Sequence, residues 1–330
     1  MRIGRSPRHW AAERRDGSNP LVSAHLPAPH SDAEVPAYWR GLGLPGLVDL
    51  HVHFLPDRMQ QKVWAYFDAG EDNYGASWPV RYRSTEADRV IRLRDLGVVA
   101  FPSLPYPHKP AMSAWLNDWS ADFARRTPDC VQSATFYPEP GVADYVAAAI
   151  AAGARMFKVH VQVGGYDPAD PVLDPVWGLL ADAELPVTVH SGSSPIRGVH
   201  TGPGPVETVL TRHPQLAVVI AHMGMHEYHE HLDLALRFDR VHLDTTMFGT
   251  DYVERFAPLP PDLPDRLASL QDRILFGTDF PTIPYAYAHQ IEALHRLDLG
   301  ADWMRSVLYD NGARLLGLPA RATAEALQHE

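Results

Sequence analysis

One cysteine, Cys130, stands alone in 330 residues. A single thiol can form neither an intramolecular disulfide nor a thiolate cluster, so any transition-metal site must be built from nitrogen and oxygen. Positive charge is also short, since 29 Lys and Arg against 40 Asp and Glu leave a formal net charge of −11. No global positive field exists to hold a polyphosphate backbone, which argues against nucleic acid as a partner. Long hydrophobic runs are missing, because no stretch approaches the roughly 18 uninterrupted apolar residues of a membrane helix. The basic start, MRIGRSPRHWAAERRDG, lacks the apolar core of a secretory signal. The expectation is a cytoplasmic chain with no membrane or nucleic-acid partner. What the sequence has in quantity is histidine, 18 residues in all, within a composition that is 45% hydrophobic and 21% charged. That is a folded globular balance, and the length suffices for one large domain without covalent staples.

Residues 1–45 carry Pro7, Pro20, Pro27, Pro29, Pro36 and Pro45 with little apolar periodicity. They read as a Pro-rich tail followed by an extended wrap, able to embrace its own domain or a second subunit of a homo-oligomer. From Gly46 the pattern changes to short apolar runs separated by longer segments with helical spacing. The runs are 47–53, 98–102, 131–137, 154–161, 186–190, 216–222, 240–244 and 273–279. Helical spacing fills the gaps at 84–96, 110–126, 141–152, 172–184, 203–213, 226–237 and 259–271, then recurs at 285–297. Eight such units predict a (β/α)₈ (TIM) barrel over 46–318, with two short extra helices in 301–317 and a C-terminal tail at 319–330. An open doubly wound sheet would want a Gly-rich phosphate turn after an early strand, whereas the first run ends in His-Val-His-Phe-Leu-Pro. The long segment after that run reads as a helix at 57–69 followed by a loop bearing Trp78 and Tyr82. That loop either roofs the barrel mouth or packs its own aromatics as a surface excursion.

His51 and His53 are one residue apart, and the two-residue strand period points both imidazoles to one face. In a barrel that face is the interior, where the pair forms half of a metal site. His190, His222 and Asp279 are the last residues of the fifth, sixth and eighth runs. Taken singly, each reads as a satisfied core histidine or a capping aspartate. Together they share a destination, because all strand ends of a parallel barrel meet at one rim. Lys158 and His160 alternate with apolar Phe157 and Val159, so one face of the fourth run carries a lysine and a histidine toward the same mouth or leaves the amine at its rim. Asp244 ends the seventh run and could line the mouth without an assigned role. Arg197 and His200 lie in the loop after His190, within reach of the mouth or on the surface. The dense His226-Glu227-Tyr228-His229-Glu230-His231 matches neither H-E-x-x-H nor H-x-x-E-H and reads as a solvated helix start.

These residues resemble the amidohydrolase superfamily, most closely its amidohydrolase-related branch. The resemblance runs through Val48-Asp49-Leu50-His51-Val52-His53, Pro186 to Gly192, Ala221-His222-Met223-Gly224, Leu275 to Pro281, and the closing Tyr309 to Leu316. It implies that His51, His53, His190 and Asp279 bind one divalent metal, Zn²⁺ first and Mn²⁺ second. Asp279 would also accept a proton, and His222 would stand beside the open coordination position as a catalytic residue. Lys158 and His160 would contact substrate, Lys158 as a clamp for a carboxylate or developing oxyanion. In binuclear relatives a carboxylated lysine on this strand bridges two metals, which would move His190 and His222 to a second ion.

The chemistry is coherent on general grounds, since a metal lowers the pKa of bound water toward about 7, a carboxylate takes the proton and an imidazole serves the substrate oxygen. The resemblance implies hydrolysis of an amide, ester or lactone in a small molecule. Its alternative is nonoxidative decarboxylation of an aromatic or enol acid, with Arg81, Arg83 and Lys158 as candidate carboxylate anchors. A third reading is a barrel without catalysis that serves as a binding module.

Overall fold

A computed structural model describes residues 26–321 of the chain. The eight apolar runs become parallel strands in chain order: β1 (Leu47–Val48), β2 (Val98–Pro102), β3 (Cys130–Val131), β4 (Ser133–Thr135), β5 (Met156–His160), β6 (Val187–His190), β7 (Val218–Ile220), β8 (Val241–Asp244) and β9 (Ile274–Leu275). β3 and β4 are the two halves of the third run, interrupted at Gln132. They join the β1-β2-β3 and β4-to-β9 sheets into one wall of eight staves. Closure comes after the regular part of β1. Leu50 N–H donates to Phe276 O, Asp279 N–H to His51 O and His53 N–H to Phe280 O, each at 2.8 Å. The expected strand at 47–53 is therefore short as a regular element. Beyond Val48 the chain still bonds the β2 side, Asp49 N–H to Ala100 O and Phe54 N–H to Ser103 O, while it also bonds the last stave, and the result is a (β/α)₈ barrel.

The helices follow the apolar spacing. In Glu86–Leu96 the Thr85 hydroxyl accepts Asp88 N–H at 3.2 Å, Gly97 ends the helix at φ 87°, and the inner face buries Val90, Leu93 and Leu96. One expectation needs correcting. The N-terminal segment is not wholly extended, since Val35–Gly41 is helical and buries Val35 and Tyr38. The physical reason is Pro36, which fits the first turn of a helix, where a missing N–H costs nothing. Residues 1–25 of that arm and 322–330 of the C-terminal tail lie outside the described residues. The two short helices expected in 301–317 are Ala301–Arg305 and Asn311–Leu315, joined by a π-helical turn over Ser306–Asp310. Asn311 Nδ2 donates to Gln271 O and Ile274 O, both at 2.7 Å, and so pins the start of β9.

No helix among the described residues is long and apolar enough to cross a membrane. Cys130 is buried in β3, and burial pushes its thiol well above the ordinary cysteine range. A thiol reagent at pH 8 is expected to leave the folded chain unmodified and to titrate one thiol per chain after denaturation. Rapid native labelling would mean that this part of the wall opens.

Candidate metal centre and its cavity

His51 and His53 face inward on the continuation of β1, which lies between β2 and the last stave, and their rings are fixed from behind. His51 Nδ1–H donates to Asp244 Oδ2 at 2.8 Å, and His53 Nδ1–H donates to the Leu104 carbonyl at 2.9 Å. A carboxylate and a carbonyl can only accept, so both rings carry the proton on Nδ1 and turn the Nε2 lone pair into the barrel. Asp279 Oδ1 meets them at 3.0 Å from His53 Nε2 and 3.6 Å from His51 Nε2. Two imidazole lone pairs and a carboxylate oxygen, all within 4.8 Å of one another, are a donor set that fits a divalent cation. Asp279 reaches this place from a left-handed backbone, φ 70°, a conformation that a non-glycine residue adopts only when its surroundings impose it.

Asp244, at the end of β8, carries more of the site than its sequence position suggested. One oxygen takes His51 Nδ1–H; the other accepts His222 N–H at 2.8 Å and Thr246 N–H at 3.1 Å. Its burial opposes ionisation, but His51, His222 and Lys158 outweigh that and hold the carboxyl well below the usual range. Asp49, two residues before His51, is likewise buried and accepts Thr278 Oγ1–H at 2.6 Å and Tyr287 O–H at 2.9 Å. Burial raises it to about 7 despite those bonds. The available signal for both residues was an acid on an otherwise apolar strand.

The remaining predicted residues lie around the same cavity. His190 ends β6, and its Nε2 donates to Ser194 O at 3.1 Å, so it stands apart from the His51, His53 and Asp279 group. Its Cα is in register with His160 of β5, and the two rings stack at 3.9 Å. His222 lies two residues past β7 in a left-handed turn, φ 55°, with its ring 4.9 Å from His51 and 4.6 Å from His190. Burial and the neighbouring His51 lower its pKa to about 3, so the imidazole is neutral near pH 7. Lys158 is fully buried, with Nζ 3.2 Å from His51 Nε2, which places it inside the barrel and not at the rim. Burial lowers it to about 8, against the opposing pull of Asp244 and Asp279.

Other candidates are engaged elsewhere. Arg197 pairs with Glu227 at 2.9 Å, and His200 lies 3.9 Å from Asp167; neither lines the cavity. The histidine-rich helix start is not simply solvated. His231 is fully buried, donates from Nδ1 to Glu227 O at 2.8 Å and accepts the Ser191 hydroxyl at 3.0 Å. With Glu227 accepting Ser193 N–H at 3.0 Å, that stretch braces the loop after His190. Trp78 lines the cavity, as a roofing loop requires, whereas Tyr82 turns away to donate to Asp32 at 2.6 Å. The cavity itself measures about 480 Å³, within the range of small-molecule sites.

The family model described as Amidohydrolase matches residues 48–318. Solved structures similar to the chain include an uncharacterised TIM-barrel protein from Bordetella bronchiseptica, at 20% identity and TM-score 0.63, over 82% of this chain and 98% of that one. A putative 2-pyrone-4,6-dicarboxylic acid hydrolase from Pseudomonas putida matches at 16% identity and TM-score 0.57, over 83% and 98%. A 5-carboxyvanillate decarboxylase from Novosphingobium aromaticivorans, complexed with manganese, matches at 15% and TM-score 0.51, over 84% and 97%. At these identities the likeness is one of fold. None of the curated proteins compared matches the chain.

Two substitutions test the bracing of the site. Asp244→Asn removes the charge that orients His51 and is expected to weaken metal affinity about 10–100-fold in a chelator competition; unchanged affinity would refute the bracing role. Gly277 is packed so closely that an added Cβ would lie 2.8 Å from His51 Cβ and would also meet Thr246 Oγ1. Gly277→Ala should therefore lower both metal affinity and Tm, with Tm falling by about 4 °C or more if the strain exceeds about 2 kcal/mol.

Proposed function

Since the chain belongs to the amidohydrolase family, we propose that it is a metal-dependent hydrolase of a small molecule, cleaving an amide, ester or lactone-type bond with one divalent metal. The observation that carries the proposal is the convergence of His51 Nε2, His53 Nε2 and Asp279 Oδ1 on the wall of a substrate-sized cavity. His51, His53 and Asp279 would hold the ion, and His190 is proposed as the further nitrogen donor from the β6 side. Zinc suits three imidazoles and a carboxylate, and manganese is the second choice. A cation bound there supplies Lewis acidity, which polarises a carbonyl and lowers the pKa of a water molecule.

The residues of the chain account for the rest. Asp279 Oδ1 faces the imidazoles, while Oδ2 has no hydrogen-bond partner among the described residues and is placed to take a proton from water and pass it to a leaving group. His222, neutral and held by Asp244 through its backbone, is proposed to donate a hydrogen bond to the substrate oxygen as charge develops there. Lys158 holds an amine at the same end of the cavity, and His160, stacked on His190, is proposed to contact substrate. Support for hydrolysis over decarboxylation comes from the arginines. Arg81 is exposed, Arg83 pairs with Asp68, and neither lines the cavity as a carboxylate anchor.

The buried amine of Lys158 beside His51 is the one feature that favours the decarboxylase reading, because it could face a departing carboxylate. It also stands where a carboxylated lysine would bridge a second ion. Elemental analysis is expected to give about one metal per chain, and two would establish the bridged pair. His53→Ala should lose the metal, and His190→Ala should lose less affinity than His53→Ala; the reverse order would overturn this division of the ligands. His222→Ala should retain the metal while kcat on an aryl ester or lactone falls about 10²–10³-fold. Carbon dioxide release from aromatic acids without any ester or lactone turnover would replace the hydrolase by the decarboxylase.

A further inference from the structure

The cavity over the candidate metal centre has a marked imbalance in its wall. Among the described residues no arginine lines it, although Arg83 and Arg89 lie close behind. Arg83 is held by Asp68 and by the Trp64 carbonyl. Arg89, nearly fully buried, donates to Gln60 at 2.8 Å and lies over the rings of Phe54 and Trp64. Of the two lysines that line the cavity among the described residues, Lys158 is at the metal end beside His51, and Lys62 is exposed on the helix Asp57–Asp68 at the rim. Between those ends the wall is mainly apolar, its polar members including His108, Gln162, Ser194 and the hydroxyls of Tyr66, Tyr74 and Tyr106. Met59, Val63 and Phe67 face it from that helix, and Met247, Val253 and Phe256 from the loop after β8. Trp78 adds only its ring, since its indole N–H is taken by the Thr282 carbonyl at 2.7 Å.

We infer that the cavity selects a substrate with an apolar, aromatic-sized body whose only ionised group, if it has one, lies at the metal end. This rests on the reading of the cavity as the substrate site and holds for either reaction at that end. A second carboxylate in the middle of the cavity would lose its water and find neutral hydroxyls and an amide but no guanidinium, with the exposed Lys62 as the one cation away from the metal end among the described residues, which is unfavourable. An aromatic body gains there by displacing water from apolar wall and by stacking on Phe67 and Trp78. Tyr106 packs against the rings of both His53 and His160, so its hydroxyl supplies neutral hydrogen bonding near the floor, and Gln162 adds a neutral amide to the lining. Such a site discriminates by what it fails to solvate as much as by what it contacts. It thereby departs from the dicarboxylic acid named for the Pseudomonas putida neighbour.

Binding, not turnover, tests this. Titration of the metal-loaded full chain with 2-naphthoate and with naphthalene-2,6-dicarboxylate is expected to favour the monocarboxylate by about tenfold or more in Kd. Equal or tighter binding of the dicarboxylate, or failure of both probes to bind, would overturn the inference. Met59→Arg, which puts a guanidinium on the apolar wall from a half-buried helix position, should narrow or reverse the preference; an unchanged ratio in this variant, with its fold verified by circular dichroism, would also count against it. A chain that keeps the preference but hydrolyses no ester or lactone leaves the selectivity standing and removes the hydrolase reading. A chain that hydrolyses esters yet prefers the dicarboxylate does the opposite.

Discussion

The site depends on one buried carboxylate. Asp244 accepts from the ring of His51 with one oxygen and from the backbone of His222 with the other. The first bond decides which nitrogen of His51 is available to a metal. The second holds the left-handed turn that presents His222. A neutral amide at this position would keep the shape but not the charge that favours the Nδ1–H tautomer. Because Asp244 is itself buried, its ionisation is sustained only by the cationic and hydrogen-bonding groups around it, so site and support are mutually dependent.

The barrel explains why residues so far apart in sequence can share this arrangement. Parallel staves place all their C-terminal ends on one rim, and the alternation along β5 and β6 sends Lys158, His160 and His190 inward together. The register of β5 on β6 then fixes the stacked pair of imidazoles. Above this polar floor the helix after β1 and the loop after β8 contribute an apolar wall. On the proposed reading, chemistry would be confined to one end of the cavity and recognition left to the rest.

Much of this was legible in the sequence because it depends on period and position. Eight apolar runs with helical spacing between them specify the barrel, and polar residues at run ends specify the rim. Three kinds of feature were not legible. Asp244 stands at a run end like the others, but only the fold brings it behind His51. His231 looked solvated because its neighbours His229 and Glu230 are polar, and its burial comes from packing beneath the loop after His190, a long-range contact with no local signal. The apolar wall was hidden for the opposite reason, since Met59, Val63 and Val253 read as ordinary core until the topology turns them toward an opening. The prolines near the N-terminus misled locally, because Pro36 starts a helical turn as readily as it extends a chain.

The seam of the barrel has a consequence for assembly. His51 and His53 belong to its first stave, and Asp279 to the chain that follows its last, with Asp279 N–H donating to His51 O across the join. An ion held by these three side chains would act as a clasp between the two ends of the barrel sequence, so the affinity of the site would be felt as resistance of the whole ring to opening. During synthesis the clasp cannot form until the chain has grown past Asp279. The ring would therefore be completed and made able to hold the proposed ion in the same late event.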